Sequence, residues 1–220
     1  MDSRHVLEKL QATNPHAEIW WDSAPMVYEN WARKVLERAP LEKKDLWQGQ
    51  LKRLFDPQHP EHTFFRGVTT NPPLSLGAVK DKPVFWADFV QKLIRDNPDK
   101  SVEQIFWLTY KKVVELGAKL FLPLWEKSNR THGYLSGQVD PRDCFDAERM
   151  LTQALDIAPI APNVMVKVPG TREGYQVIEE LTARGIATNN TLSFTVPQFV
   201  ACMEAVQRGL AKAKQDKVDL

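Results

Sequence analysis

What most constrains the fold of this chain is a rhythm, a short apolar segment followed by an amphipathic one, repeated along its length. Alternation of that kind is the pattern of βα units, in which parallel strands are joined by helices that pack across the sheet. The strand candidates are AEIWWD (17–22), FFRGV (64–68), GYLSGQV (133–139), NVMVKV (163–168) and GIATNN (185–190). Helical spacing is read over 25–36, 44–54, 83–96, 143–157 and 196–214. Val102, Ile105, Phe106, Tyr110, Val113 and Val114 fall on one helical face, and Gly117 and Pro123 predict a break or bend after it. Thr171 is placed to cap a helix with core face Val177, Ile178 and Leu181, closed by Gly185, and Pro197 suits the first turn of the last helix. Two prolines after Asn71 predict an ordered loop with no immediate helix.

Composition narrows the class. A length of 220 residues with 43% hydrophobic side chains, seven Trp and ten Phe excludes disorder and gives room for a substantial core. Lys and Arg total 29 against 28 Asp and Glu, so no basic field points to nucleic acid or an anionic membrane. No apolar run approaches the roughly 20 residues of a membrane span, and MDSRHVLEKLQ lacks the apolar core of a signal peptide. Cys144 and Cys202 lie far apart and fit neither a disulfide scaffold nor a CxxC motif; the expected location is the reducing cytoplasm. His59 and His62 flank Pro60 in an irregular stretch without a third ligand, and read as surface loop residues rather than a zinc site.

In parallel βα folds, ligand chemistry gathers at the C-terminal ends of the strands. Asp22, Asn71, Gln138, Lys167 and Asn189 all fall within or at the ends of otherwise apolar strands. Lys167 is the most informative. An ammonium within VMVKVP is costly to bury, so it must reach water, pair with an anion or lose its proton. The last course leaves an amine able to attack a carbonyl and form a Schiff base. Asp22 has the alternative of capping a helix before Pro25, Asn71 of stabilising the proline turn, and Asn189 and Thr191 of being ordinary strand residues. Asp140 and Arg142 read as a structural charge pair, and the tryptophans as packing residues.

Four motifs occur in order, each at a predicted strand: GVTTNPPLS (67–75), HGYLSGQVDPR (132–142), VMVKVPGTREGYQVIEELTARGI (164–186) and TNNTLSF (188–194). Together they resemble the transaldolase family, class I aldolases on a (β/α)8 barrel, and LFLPLWEKSNRTHGYLSGQVDPR is similar to the longer bacterial members. The resemblance is best over 64–208. It implies an α/β TIM-type barrel, of which about five βα units are present, as a single domain over 1–220 that is shorter than the family at its C-terminal end. It also implies transfer of a three-carbon dihydroxyacetone unit between sugar phosphates, a place in pentose phosphate metabolism, and no metal or organic cofactor. Lys167 falls on the Schiff-base lysine, Asp22 on the acid/base for the substrate C4 hydroxyl, and Asn71 and Asn189 on asparagines that bind donor hydroxyls. Thr191 falls on the threonine that helps hold the catalytic water.

Two departures stand out. Gln138 occupies the place of a glutamate that helps the water shuttle protons; a glutamine orients water but cannot take its proton. Glutamine there resembles the related fructose-6-phosphate aldolases, which leaves slower transaldolase chemistry, an aldolase outcome or an inactive relative open. The second is length. A complete barrel of this type needs roughly 250 residues, and the strands that carry the family's phosphate-binding groups have no counterpart. Five strands leave edges and an interior to cover, so either the sequence is part of a longer or split protein, or a homo-oligomer or partner chain completes the barrel. The competing class is a catalytically silent barrel fragment acting as an interaction module.

Overall fold

A computed structural model describes residues 3–219. The chain divides into two compact units, Met1–Leu135 and Ser136–Leu220. Among the described residues, five strands alternate with helices and lie in one sheet in chain order, β1 (Trp21–Asp22), β2 (Gly67–Thr69), β3 (Tyr134–Gln138), β4 (Val164–Pro169) and β5 (Thr188–Thr191). β1 runs parallel to β2 and β4 parallel to β5. This is the α/β class that the sequence rhythm implies, in accord with the partial (β/α)8 barrel that the resemblance implies.

In the first unit, α1 (Val6–Gln11), α2 (Tyr28–Glu37) and α3 (Lys44–Leu54) precede β2, and α4 (Pro72–Asp81), α5 (Pro83–Asp96) and α6 (Val102–Lys127) follow it. The core holds Leu54, Phe55, Phe65 and Phe121, with Phe55 stacked on Phe121 at 4.8 Å between centroids. Tyr28 is buried against it and donates its hydroxyl to the Leu51 carbonyl at 2.6 Å. A second cluster joins Ala24, Ala78, Trp86 and Val113. The segment 64–68 is only partly a strand, because the N–H groups of Phe64 and Phe65 donate to Arg53 and Leu54 carbonyls and so close α3 instead of entering a ladder. His59 and His62 are exposed beside Glu61.

Three expectations in this unit need correction. The prolines after Asn71 do not delay a helix: α4 starts at Pro72. Its first two positions need no intrahelical N–H, and Asn71 has the extended backbone (φ −154°, ψ 171°) that a following proline requires. Gly117 and Pro123 do not break α6, which runs unbroken for 26 residues. Pro123 forfeits one backbone hydrogen bond, offset by the burial of Ala118, Phe121 and Leu124 around it, while Gly117 lets Leu135 approach to within 2.5 Å of where a Cβ would sit. Finally, the face read on α6 is only partly core: Ile105, Tyr110, Val113 and Val114 are buried, but Val102 is 88% and Phe106 49% exposed.

In the second unit, α7 (Ala147–Ile157), α8 (Arg172–Ala183) and α9 (Val196–Gln215) flank β4 and β5. Val166 and Val168 of β4, Met150, Ala154 and Ile157 of α7, and Ile178 and Leu181 of α8 are fully buried. Thr171 caps α8 as expected, its hydroxyl accepting from Gly174 N–H at 2.9 Å. Gly185 (φ +71°) closes the helix, and its N–H and that of Ile186 return to Thr182 and Leu181 carbonyls, so β5 starts only at Thr188. α9 packs on α8 through Ala205, Gly209 and Ala213, whereas Val196, Phe199, Val200 and Met203 remain exposed.

Candidate active site

Lys167 lies within β4 among valines and is 8% exposed. The parallel register sets Lys167 opposite Asn189 and Pro169 opposite Thr191. Residues opposite one another in a parallel pair, and residues two apart along a strand, project to the same face, so Lys167, Asn189 and Thr191 share one. On the other flank of β4, Val139 N–H donates to the Lys167 carbonyl at 3.2 Å, which sets Gln138 level with Lys167. Gln138, Lys167 and Asn189 therefore form one row across three strands, with Thr191 one step further toward the strand ends.

Ser136 steadies this row. It is fully buried, and its hydroxyl accepts from Asn189 Nδ2 at 2.9 Å, so the amide oxygen of Asn189 turns away from it. Asn190 projects to the opposite face, donating to the Val168 carbonyl at 3.4 Å and accepting from Ser193 Oγ at 2.5 Å. Of the two adjacent asparagines, only Asn189 shares the lysine's face.

The turn after β4 is built tightly. Thr171 Oγ1, besides capping α8, donates to the Cys144 carbonyl at 2.7 Å. A Cβ on Gly174 would stand 2.0 Å from the Pro169 carbonyl oxygen, and one on Gly170 2.2 Å from Ser193 Oγ. Gln198 of α9 donates to the Gly170 carbonyl at 3.0 Å. The strand end that carries Lys167 is thus held from both α8 and α9.

In the first unit, Asp22 ends β1 opposite Thr69 of β2, and Thr69 Oγ1 donates to its exposed carboxylate at 2.7 Å. Asp22 does not cap a helix: the short turn Pro25–Val27 starts from Ala24 without a side-chain bond. Asn71 follows β2 and caps α4, its Oδ1 accepting from Leu74 N–H at 2.9 Å. The structural role weighed for Asn71 is therefore realised, and its Nδ2 remains for another acceptor.

Each unit thus holds part of the residue set read from the sequence. Gln138, Lys167, Asn189 and Thr191 share one face in the second, while Asp22 and Asn71 sit at successive strand ends in the first. Ser136 and Thr69 were not singled out in the sequence. The available signal was spacing, since Ser136 lies two residues before Gln138 and Thr69 two before Asn71 within the same motifs. Asp140 and Arg142 form the expected charge pair, with Arg142 at 2.5 Å holding the Asp140 carboxyl below the usual carboxylate range. Cys144 and Cys202 are free thiols, and burial pushes the Cys202 thiol up, away from a reactive thiolate. No helix among the described residues is long and apolar enough to cross a membrane.

The profile of the family described as transaldolase/fructose-6-phosphate aldolase matches residues 51–216, which include every candidate except Asp22. A transaldolase of Thiobacillus denitrificans is 36% identical over 156 residues, 70% of this chain and 43% of that protein. A transaldolase of Mycobacterium bovis is 29% identical over 177 residues, 80% of this chain and 45% of that protein. The protein named transaldolase 2 of Streptomyces avermitilis is 29% identical over 184 residues, 82% of this chain and 47% of that protein. The chain spans just under half the length of these curated relatives. With its parallel βα units and its lysine row, the chain belongs to the transaldolase/fructose-6-phosphate aldolase family.

Proposed function

We propose that this chain carries out the Schiff-base chemistry of a transaldolase, moving a dihydroxyacetone unit from a ketose phosphate to an aldose phosphate. The observation that carries the reading is Lys167, withdrawn from bulk water in an apolar strand and aligned with Gln138 and Asn189 on one face. Its neutral amine attacks the ketose C2 carbonyl, and loss of water from the carbinolamine leaves an iminium. Asp22 takes the C4 hydroxyl proton as the C3–C4 bond breaks; the aldehyde leaves, and the bond's electrons pass into the iminium to give an enamine. The enamine adds to an acceptor aldehyde, and water releases the new ketose. The iminium itself is the electron sink, so no step calls on a metal or organic cofactor.

In this reading Asn189 and Asn71 bind donor hydroxyls, Thr191 holds the water, and Gln138 orients it. The exposed apolar residues Phe199, Val200 and Met203 of α9 support a further proposal, that a second copy or a partner chain packs there.

The test is to incubate the chain with fructose 6-phosphate or dihydroxyacetone, reduce with borohydride and map the modified peptide by mass spectrometry. A three-carbon adduct on Lys167 is expected. Its absence at saturating substrate, with the chain folded by circular dichroism, rejects the proposal in favour of a silent interaction module. Gln138 favours one second reading, aldolase cleavage, because a glutamine at this place resembles the related fructose-6-phosphate aldolases. Release of glyceraldehyde 3-phosphate and free dihydroxyacetone without an acceptor marks that outcome; dependence on added erythrose 4-phosphate marks transfer.

A further inference from the structure

Within the first unit, a cavity of 280 Å³ lies among α4, α5 and α6, walled by Val79, Val90, Ile105 and Val113. Its rim is apolar and open: Leu76 is 52%, Phe106 49% and Val102 88% exposed. No charged residue lines it. The face of α6 that periodicity assigns to the core is therefore left partly uncovered where the cavity lies.

Three lining residues carry hydroxyls, Ser75, Thr109 and Tyr110, and of these Ser75 is the one buried without a partner. Ser75, which lines the cavity, is only 5% exposed, and its hydroxyl has no hydrogen-bond partner. The nearby Thr109 hydroxyl is already committed to the Ile105 carbonyl at 2.8 Å. A buried hydroxyl without a partner is destabilising, and Ser75 turns about a single bond, so a change of χ1 rotamer is the motion that presents it to an occupant. A purely apolar cavity of about 150 Å³ accepts benzene; this one is larger and adds an unpartnered hydroxyl at Ser75.

We propose that this cavity is a binding site for a small neutral phenol, its ring among α4, α5 and α6 and its hydroxyl exchanging a hydrogen bond with Ser75. The uncharged lining excludes sugar phosphates, so the site is separate from the substrate site. It adjoins that site's machinery, because the Ser75 N–H donates to the Asn71 carbonyl at 2.9 Å one helical turn away.

The probes are p-cresol and p-xylene, which differ by a hydroxyl against a methyl, titrated into the full chain by calorimetry and ligand-observed NMR. One site is expected, with p-cresol about tenfold tighter than p-xylene, a typical worth for one satisfied hydrogen bond. Ser75→Ala should bring the two affinities together. Phe106→Ala, at the exposed rim, should weaken both probes and keep the preference for p-cresol. Failure of both probes to bind the folded wild-type chain, or a p-cresol preference that survives Ser75→Ala, overturns the assignment.

Discussion

Gly174→Ala is the sharpest test of how the lysine strand is held. Gly174 lies in the first turn of α8, where alanine by itself favours the helix by about 1 kcal/mol. Against that, its Cβ would stand 2.0 Å from the carbonyl oxygen of Pro169 and 3.1 Å from its carbon. Overpacking of this kind costs about 1–3 kcal/mol, and the obstacle is main chain at the end of β4, which cannot swing aside as a side-chain tip can. We therefore expect a net loss of up to about 2 kcal/mol, with each kcal/mol lowering Tm by roughly 2–4 °C in a chain this long. Gly77→Ala is the control. It lies in α4 with no atom within 4 Å of the added Cβ, so propensity alone acts and stability should rise by about 0.5–1 kcal/mol. Urea unfolding followed by circular dichroism measures both, compared at unchanged m. A Gly174→Ala protein as stable as Gly77→Ala would refute the claim that α8 touches the β4 terminus. Since Pro169 is two residues from Lys167, the same variant should also trap less adduct.

Asn71→Ala should cost about 1 kcal/mol through the lost α4 cap, while Asn71→Asp retains the cap, as thermal unfolding of the pair will show. Ser136→Ala frees the Asn189 amide, so single-turnover trapping should slow while the fold, read by circular dichroism, is kept; an unchanged rate counts against the positioning role. Leu192, exposed and at φ +61°, occupies a left-handed conformation that Leu192→Gly relieves, and a gain of up to about 1 kcal/mol in unfolding free energy is expected. Lys212 and Arg208 hold the Glu179 carboxyl below its ordinary value of 4.5. Its folded pKa is thus depressed, so its stabilising contribution is present above pH 4.5 and fades as pH falls through the lower folded value. The gap in unfolding midpoint between wild type and Glu179→Gln should accordingly be small at neutral pH, because the pairs are exposed, and close below that point; a gap that widens in acid contradicts the pairing.

Much of the second unit was legible residue by residue. Thr171 and Gly185 mark the start and end of α8 because each answers a local backbone requirement that neighbours in sequence create. The first unit was less legible. Pro72 and Pro73 were read as helix-excluding, although proline is excluded only where an N–H is needed, and α4 places both in its first turn. Pro123 survives inside α6 because buried neighbours hold the helix together. Val102 and Phe106 have core spacing, yet periodicity only says that residues share a face, not that anything covers it.

The sequence by itself determined the βα alternation, the family and the candidate lysine, because strand and helix periods, ordered motifs and a lysine inside a valine strand are local facts. Tertiary structure alone decided which polar residues keep that lysine company. Register across β3, β4 and β5 aligns Gln138 and Asn189 with Lys167, turns Asn190 to the other face and closes the bond from Asn189 to Ser136. A shift of one residue in any of these strands would reverse the faces, and nothing local to a strand encodes the position of its neighbour.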